Sequence, residues 1–364
     1  MKTPRVFLAV LLLGWSTAGC DDKFVRELHV MTQNVYYGFD TGPLLSAAGP
    51  EEIPVLAAQA YAQLLSTDFP ERAGAIADEI ARQKPHLIGL QEVALFRIQS
   101  PGDAVIGGTI PAETVLLDYL AILLSALADR GLDYRVAAKV QNVDVELPMV
   151  TGTDPLTFDD IRLTDFDVIL SRGDVQTGNA VGMNYASKLF IPSLGLEVPR
   201  GYAAVNATLN GGETVRFVTT HLEDTPFPDV QLAQASELAA VLAGESHPVV
   251  LVGDFNSPAP KGDTFKFFTS HHYLDAWTEA ANKKQGAGLT WGHAPDLRND
   301  TVQFTQRLDL VLFREPGTPD PRRHQPFAHV HVWGDELTDR TPSGLWPSDH
   351  AGVEAVIVIG RSGD

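Results

Sequence analysis

The chain has 364 residues, 44% of them apolar and 20% charged, with a formal net charge of -19 and one cysteine. That apolar content is enough to bury a substantial core, and it excludes a disordered or fibrous chain. The acidic balance lacks the basic footprint of a duplex-DNA-binding surface, and a lone cysteine excludes an intramolecular disulfide framework.

Lys2 and Arg5 precede an apolar run over residues 6–15, followed by Ser16, Thr17, Ala18, Gly19 and Cys20. A charged start, an apolar run too short for an ordinary membrane span and a small-residue cleavage site read as an export signal over residues 1–19. The segment resembles bacterial lipoprotein signals, with Cys20 as the lipid anchor, residues 20–27 as a tether and Asp21–Asp22 as an inner-membrane retention signal. Thr17 stands where such signals usually carry Leu, so simple secretion is the alternative reading.

A first strand is expected over residues 27–35, with Asn34 at its end. Residues 39–54 read as a Gly/Pro-punctuated loop before a helix over 55–65. Pro70 then opens a helix through Ala73, Ile76, Ala77 and Ile80, which Pro85 stops. HLIGLQEV, residues 86–93, reads as a buried strand ending in Gln91 and Glu92.

After a Gly/Pro-rich loop over 100–111, residues 111–130 are the chain's best helix, with Leu116, Leu120, Leu123, Leu124 and Leu127 in one core-facing stripe and Gly131 as the stop. Residues 134–147 alternate as a strand, 148–164 read as an exposed loop, and 167–172 as a strand with Arg172 at its end. Two alternating runs about Asn210, Gly211 and Gly212 predict a hairpin that delivers His221 to a strand end.

An amphipathic helix over 228–243 leads into PVVLVGDFNS, residues 248–257. Its unbroken apolar run reads as a strand buried on both faces, and the spacing of Asp254 and Asn256 turns both side chains to one side of an extended segment. An Asx turn is the structural alternative there. A short helix near 274–281, a core strand over 307–313 with Asp309 facing inward, a strand over 329–333 and Asp349–His350 leading into 352–359 complete the chain. There is no repeat of fixed short period and no linker, so residues 28–361 read as one domain.

Asn34, Glu92, His221, Asp254 with Asn256, Asp309 and Asp349–His350 thus lie at or in six strand segments. Singly, each also fits a satisfied core or turn polar group. Unpaired buried carboxylates cost several kcal/mol or shift their pKa, so this many need a shared positive partner. A hard divalent ion with oxygen ligands suits them, Mg²⁺ first and Mn²⁺ as an alternative. Zinc is a poor fit: no HxxxH pair occurs, His271–His272 are adjacent, and His329 and His331 share a strand face with no cysteine close by in sequence.

QNVYYG, GLQEV, TTHLED, GDFNS, RLDLVLF and PSDHAGV occur in the order found in the endonuclease/exonuclease/phosphatase superfamily, which the chain resembles over nearly its whole length after the signal. The resemblance implies a DNase I-like α/β fold, a four-layered sandwich of two mixed β-sheets packed face to face and flanked by helices. It implies Glu92 as the principal metal ligand, with Asn34 and Asp349 in direct or water-mediated contact. Asp254 would orient or deprotonate the attacking water and Asn256 would hold a phosphate oxygen. His221 would stabilise developing charge or protonate the leaving group, and Asp309 would fix the tautomer of His350, which touches the phosphate or assists proton transfer. Arg172 fits a phosphate contact or a structural salt bridge equally well.

The function expected is therefore a metal-dependent phosphoester hydrolase, monomeric, exported to the cell envelope and held at a membrane through Cys20. Family substrates include DNA, phosphoinositides, sphingomyelin and nucleotides, and shared site residues do not choose among them. The loops over 39–54, 95–111 and 148–164 contain few Lys or Arg, which points to a small or lipid-borne phosphoester. A DNase I-like endonuclease, a sphingomyelinase- or phosphoinositide-phosphatase-like enzyme and, from another class, an inactive surface binding protein are the alternatives.

Overall fold

The computed structural model describes residues 26–192, 195–209, 212–280, 286–317 and 326–359. The export signal, Cys20 and the hairpin tip at Asn210 and Gly211 lie outside the described residues. In chain order the elements are β1 (Arg26–Asn34), α1 (Gly42–Leu45), α2 (Ile53–Ser66), α3 (Phe69–Gln83), β2 (Leu87–Gln91), β3 (Leu95–Gln99), β4 (Thr114–Asp118), α4 (Tyr119–Asp129), β5 (Tyr134–Thr153) and β6 (Leu156–Arg172). They continue with β7 (Gln176–Asn184), β8 (Leu189–Ile191), β9 (Leu196–Val198), β10 (Gly201–Thr208), β11 (Thr214–His221), α5 (Pro228–Leu242), β12 (Val249–Asp254) and α6 (Asp263–Ser270). The last are β13 (Leu274–Asp275), α7 (Ala276–Glu279), β14 (Asp309–Arg314), β15 (Phe327–Trp333) and β16 (Gly352–Ile359).

One mixed sheet runs β15-β16-β1-β2-β6-β3-β4, with β5 paired to β6; the other runs β13-β14-β12-β11-β10-β7. The alternation of side chains along each strand divides its residues between two faces. Val250 and Val252 of β12 meet Leu28, Val30, Leu87 and Ile169 between the sheets, whereas Val249 and Leu251 pack outward with Leu238 of α5 and Phe268 of α6. On the far side, Ile88 and Leu90 of β2 pack outward under Ala73, Ile76 and Ile80 of α3 and Leu123 and Leu127 of α4. The result is the four-layered sandwich expected from the sequence. Gly89 permits the two sheets to approach: a Cβ there would lie 2.5 Å from Thr219 Oγ1.

Three sequence expectations need correction. The helix expected over 111–130 is β4 followed by α4: Thr114 to Asp118 pair with β3, and Asp118 caps the helix by accepting from Ala121 N–H at 3.0 Å. Residues 148–164 are not a loop, because β5 and β6 stay in register from Tyr134↔Arg172 to Thr153↔Leu156, bulging only locally. The loop after Glu92 also contains β3, which pairs with both β4 and β6.

Register explains why the polar residues converge. In the second sheet His221, Asp254 and Asp309 stand abreast on three adjacent strands. In the first, Asn34 lies opposite Gln91, so Glu92 leaves β2 at the same rim. Ser348 Oγ donates to Asn34 O at 2.7 Å and Gln33 Nε2 to His350 O at 3.3 Å, which ties the Asp349–His350 segment beside β1.

Candidate active site

The GDFN segment needs its glycine: Gly253 has φ +145, and a Cβ there would lie 1.9 Å from Thr220 O. This tight passage sets Asp254, which is 1% exposed, at the strand end. Asp254 Oδ1 accepts from Asn256 N–H at 2.9 Å and Oδ2 from Asn34 Nδ2 at 3.2 Å. The same Oδ2 faces His221 Nε2 at 3.5 Å and His350 Nε2 at 3.6 Å. Burial raises Asp254 to a pKa of about 6, against the lowering influence of His350.

Glu92 accepts from Asn34 Nδ2 at 3.0 Å and Tyr37 N–H at 2.8 Å. Burial, and then the neighbouring Asp349, push its pKa to about 8. Asp349 is itself raised, chiefly by burial. Among the described residues neither carboxylate forms an ion pair with a Lys, Arg or His, and the more distant charges of His350 on both and of Arg72 on Asp349 offset their burial only in part. Tyr36, Glu92 and Asn256 all adopt left-handed φ values, +61, +59 and +49. For non-glycine residues this costs on the order of 1–3 kcal/mol each, and such strain concentrates where function fixes the backbone.

His350 Nδ1 lies 2.8 Å from Asp309 Oδ2, and since the carboxylate accepts, Nδ1 carries the proton and Nε2 faces Asp254. Burial disfavours charge on His350, yet Asp309, Asp254 and Asp349 together hold its pKa well above the usual histidine value. Asp254, Asp309 and His350 offer possible donor atoms within 4.8 Å of one another. Since Asp309 already engages His350 Nδ1, the trio reads as a hydrogen-bonded His350–Asp309 pair facing Asp254 at 3.6 Å, and the Glu92–Asp349 pair is the better cation site.

His221 is oriented by a residue that the sequence reading missed. Arg200 Nη1 lies 3.0 Å from His221 Nδ1, and a guanidinium can only donate, so Nδ1 accepts and the proton sits on Nε2. Burial, and then Arg200 and His350, keep His221 well below the usual histidine pKa, hence neutral. The close approach of Asn256 Nδ2 to His221 Nε2, 3.1 Å, is then a contact between two donors. Asn256 instead donates to Leu222 O at 3.0 Å and Asp224 Oδ1 at 2.9 Å. Arg200 stands just before β10 with no recognisable motif around it.

A second missed residue is Arg72 of α3, fully buried, which donates to the carbonyls of Val35, Tyr36, Thr67 and Pro347 at 2.7–3.1 Å. It clamps the segments that follow Asn34 and precede Asp349. Its signal was present, since Arg72, Ile76 and Ile80 share one helical face. Arg172, by contrast, is structural: it forms a two-pronged pair with Asp174, at 2.6 and 2.9 Å, and caps Lys84 O.

A cleft of about 640 Å³ opens over this rim. Glu92, His221, Asp254, Asn256, Asp349 and His350 line it, and Asn34 and Asp309 stand directly behind. All eight residues expected from the sequence thus meet in one site. The lining holds five carboxylates, Asp40, Glu92, Asp224, Asp254 and Asp349, and a single arginine, Arg200.

A double-sheet α/β sandwich with acids, amides and imidazoles gathered at one rim defines a DNase I-like protein. The chain belongs to the Endonuclease/Exonuclease/phosphatase family, whose sequence pattern it matches over residues 31–350. No curated protein sequence matches it. Among solved structures it is similar to an endonuclease/exonuclease/phosphatase family protein from Bacteroides thetaiotaomicron, at 16% identity and TM-score 0.57, covering 93% of this chain and 99% of that one. It is also similar to the mannosyl-6-phosphatase Bt3783 of Bacteroides thetaiotaomicron VPI-5482, at 16% identity and TM-score 0.54, covering 91% and 100%. A humanized D. rerio TDP2 with 14 mutations follows at 16% identity and TM-score 0.51, covering 92% and 99%.

Proposed function

We propose that this chain hydrolyses a phosphoester with one divalent cation, Mg²⁺ first and Mn²⁺ as an alternative, at the rim where both sheets end. The observation that carries the reading is the pairing of two buried carboxylates, Glu92 and Asp349, each raised chiefly by burial, with Asp254 and the hydrogen-bonded His350–Asp309 pair across one cleft. Glu92 and Asp349 would hold the ion, with Asn34 acting through water, because its own oxygen already accepts from Tyr36 N–H at 2.9 Å. Bound there, the cation supplies Lewis-acid polarisation of the phosphoryl group and reverses the negative field of the cleft.

The chain's own groups do the rest. Asp254 takes a proton from water as the water oxygen forms its bond to phosphorus. The ester P–O bond breaks, its electron pair leaves on the alcohol oxygen, and His350 Nε2, aligned by Asp309, returns a proton to that oxygen. His221, neutral with its hydrogen on Nε2, donates a hydrogen bond to a phosphoryl oxygen rather than a proton to the leaving group. Asn256 holds a second phosphoryl oxygen by exchanging Asp224 for it.

Hydrolysis of bis-p-nitrophenyl phosphate with Mg²⁺ or Mn²⁺, and its loss in EDTA, tests the reading. Turnover unaffected by EDTA, or absent with either ion, contradicts it and favours a binding protein of the same fold. The signal-like start supports export and anchoring at Cys20. Cys20→Ser should release the protein from the membrane fraction, and unchanged partitioning would retire the anchor.

A further inference from the structure

Beside the cleft lies a second recess of about 130 Å³. Leu44, Tyr61, Val145, Leu147, Leu163 and Val198 are among the residues that line it, all of them only half-buried. It is not a separate cavity: Tyr37, Phe39, Thr41, Arg200 and Asp224 line both spaces, so its polar end is the edge of the catalytic site. Arg200 stands at this junction, 3.0 Å from His221 on one side and facing Glu223 and Asp224 at 3.6 and 3.7 Å. Its walls come from α1, α2, the β5–β6 hairpin and β8 and β9, and include parts of the 39–54 and 148–164 segments that carry few basic residues.

Half-exposed aliphatic side chains facing one recess, joined to a site of convergent polar groups, are the usual make-up of a ligand pocket. Resting on the reading of the cleft as a phosphoester site, we infer that this recess takes an apolar ester group of the substrate, so that the enzyme acts on alkyl or aryl esters of phosphate. A sugar phosphate would set hydroxyls against the aliphatic wall, and a nucleic acid strand would bring further phosphates toward Asp165, Glu223 and Asp224. In size the recess suits a group of about six carbons, since an apolar cavity of about 150 Å³ accepts benzene.

The test is a series of p-nitrophenyl alkyl phosphodiesters with methyl, propyl, hexyl and dodecyl chains, assayed with Mg²⁺ on the full chain. Each methylene buried should raise kcat/KM about fourfold until about six carbons, after which the gain stops. Ala60→Phe, which narrows the recess from α2, should flatten the series while the methyl ester is turned over as before. Leu163→Ala should move the optimum to longer chains. Binding of methyl- and hexylphosphonate to Asp254→Asn by calorimetry gives a readout without turnover, and hexylphosphonate should bind at least tenfold more tightly. A flat series with the methyl ester still turned over, or a stronger preference for a single-stranded oligonucleotide, overturns the recess assignment and leaves the hydrolase standing. No turnover of any ester together with equal binding of the two phosphonates overturns both.

Discussion

Asp254 is held by two hydrogen bonds at 2.9 and 3.2 Å and faces two imidazoles, and its pKa near 6 suits a base working close to neutrality. Asp254→Asn preserves shape and removes the base, so turnover should fall by about a factor of 100 to 10,000 while the melting temperature holds or rises. A large loss of melting temperature would mark Asp254 as structural instead. His350 and Asp309 act as a unit through one 2.8 Å hydrogen bond, so His350→Ala, Asp309→Ala and the double variant should lose similar activity. Independent, multiplying losses in kcat would break the pairing. Legibility at this scale followed from motif and position: Asn34, Glu92, His221 and Asp254 stand at strand ends that periodicity alone locates. Arg200 was invisible because its importance lies in one contact with His221 that no local pattern announces.

At the scale of elements, the errors have a common cause. Leu116 to Leu127 do contain a helical stripe, but the first turn of that stripe is claimed by pairing to β3, a tertiary contact that overrides spacing. Asp118 marks the true boundary, and Asp118→Ala should destabilise the protein by about 1 kcal/mol in urea titration, with little change in activity. The β5–β6 hairpin was hidden by Pro148, Gly152 and Pro155, which punctuate the sequence although the ladder tolerates them. Arg72 joins three elements at once. Arg72→Met leaves four buried carbonyls without their donor, and stability should drop by about 3–5 kcal/mol with activity falling alongside. A drop below about 1 kcal/mol would mean that solvent replaces the guanidinium.

For the whole molecule, a net charge of -19 and a cleft with five carboxylates make the metal-free protein sensitive to pH. Glu92 is raised from 4.5 to about 8 on folding, so between those values the folded protein binds a proton that the unfolded chain has lost. The stabilising contribution is therefore complete below pH 4.5 and is lost as pH rises through 8. Mg²⁺ should raise the melting temperature more at about pH 8.5 than at about pH 5.5, and Glu92→Gln should remove that difference. An ion-induced shift independent of pH would place the cation elsewhere. The sandwich itself was legible because buried strands, paired turns and amphipathic helices recur in order, whereas the apolar recess arises only where distant segments meet.

The claim on which the rest stands is that Glu92 and Asp349 together hold one divalent cation, and proton-linked calorimetry tests it most directly. Mg²⁺ titrated into the full chain at about pH 7, in buffers of different ionisation enthalpy, should bind at one site and release close to one proton. Both signals should vanish in Glu92→Gln. Binding that releases no proton and persists unchanged in Glu92→Gln and Asp349→Asn would contradict it.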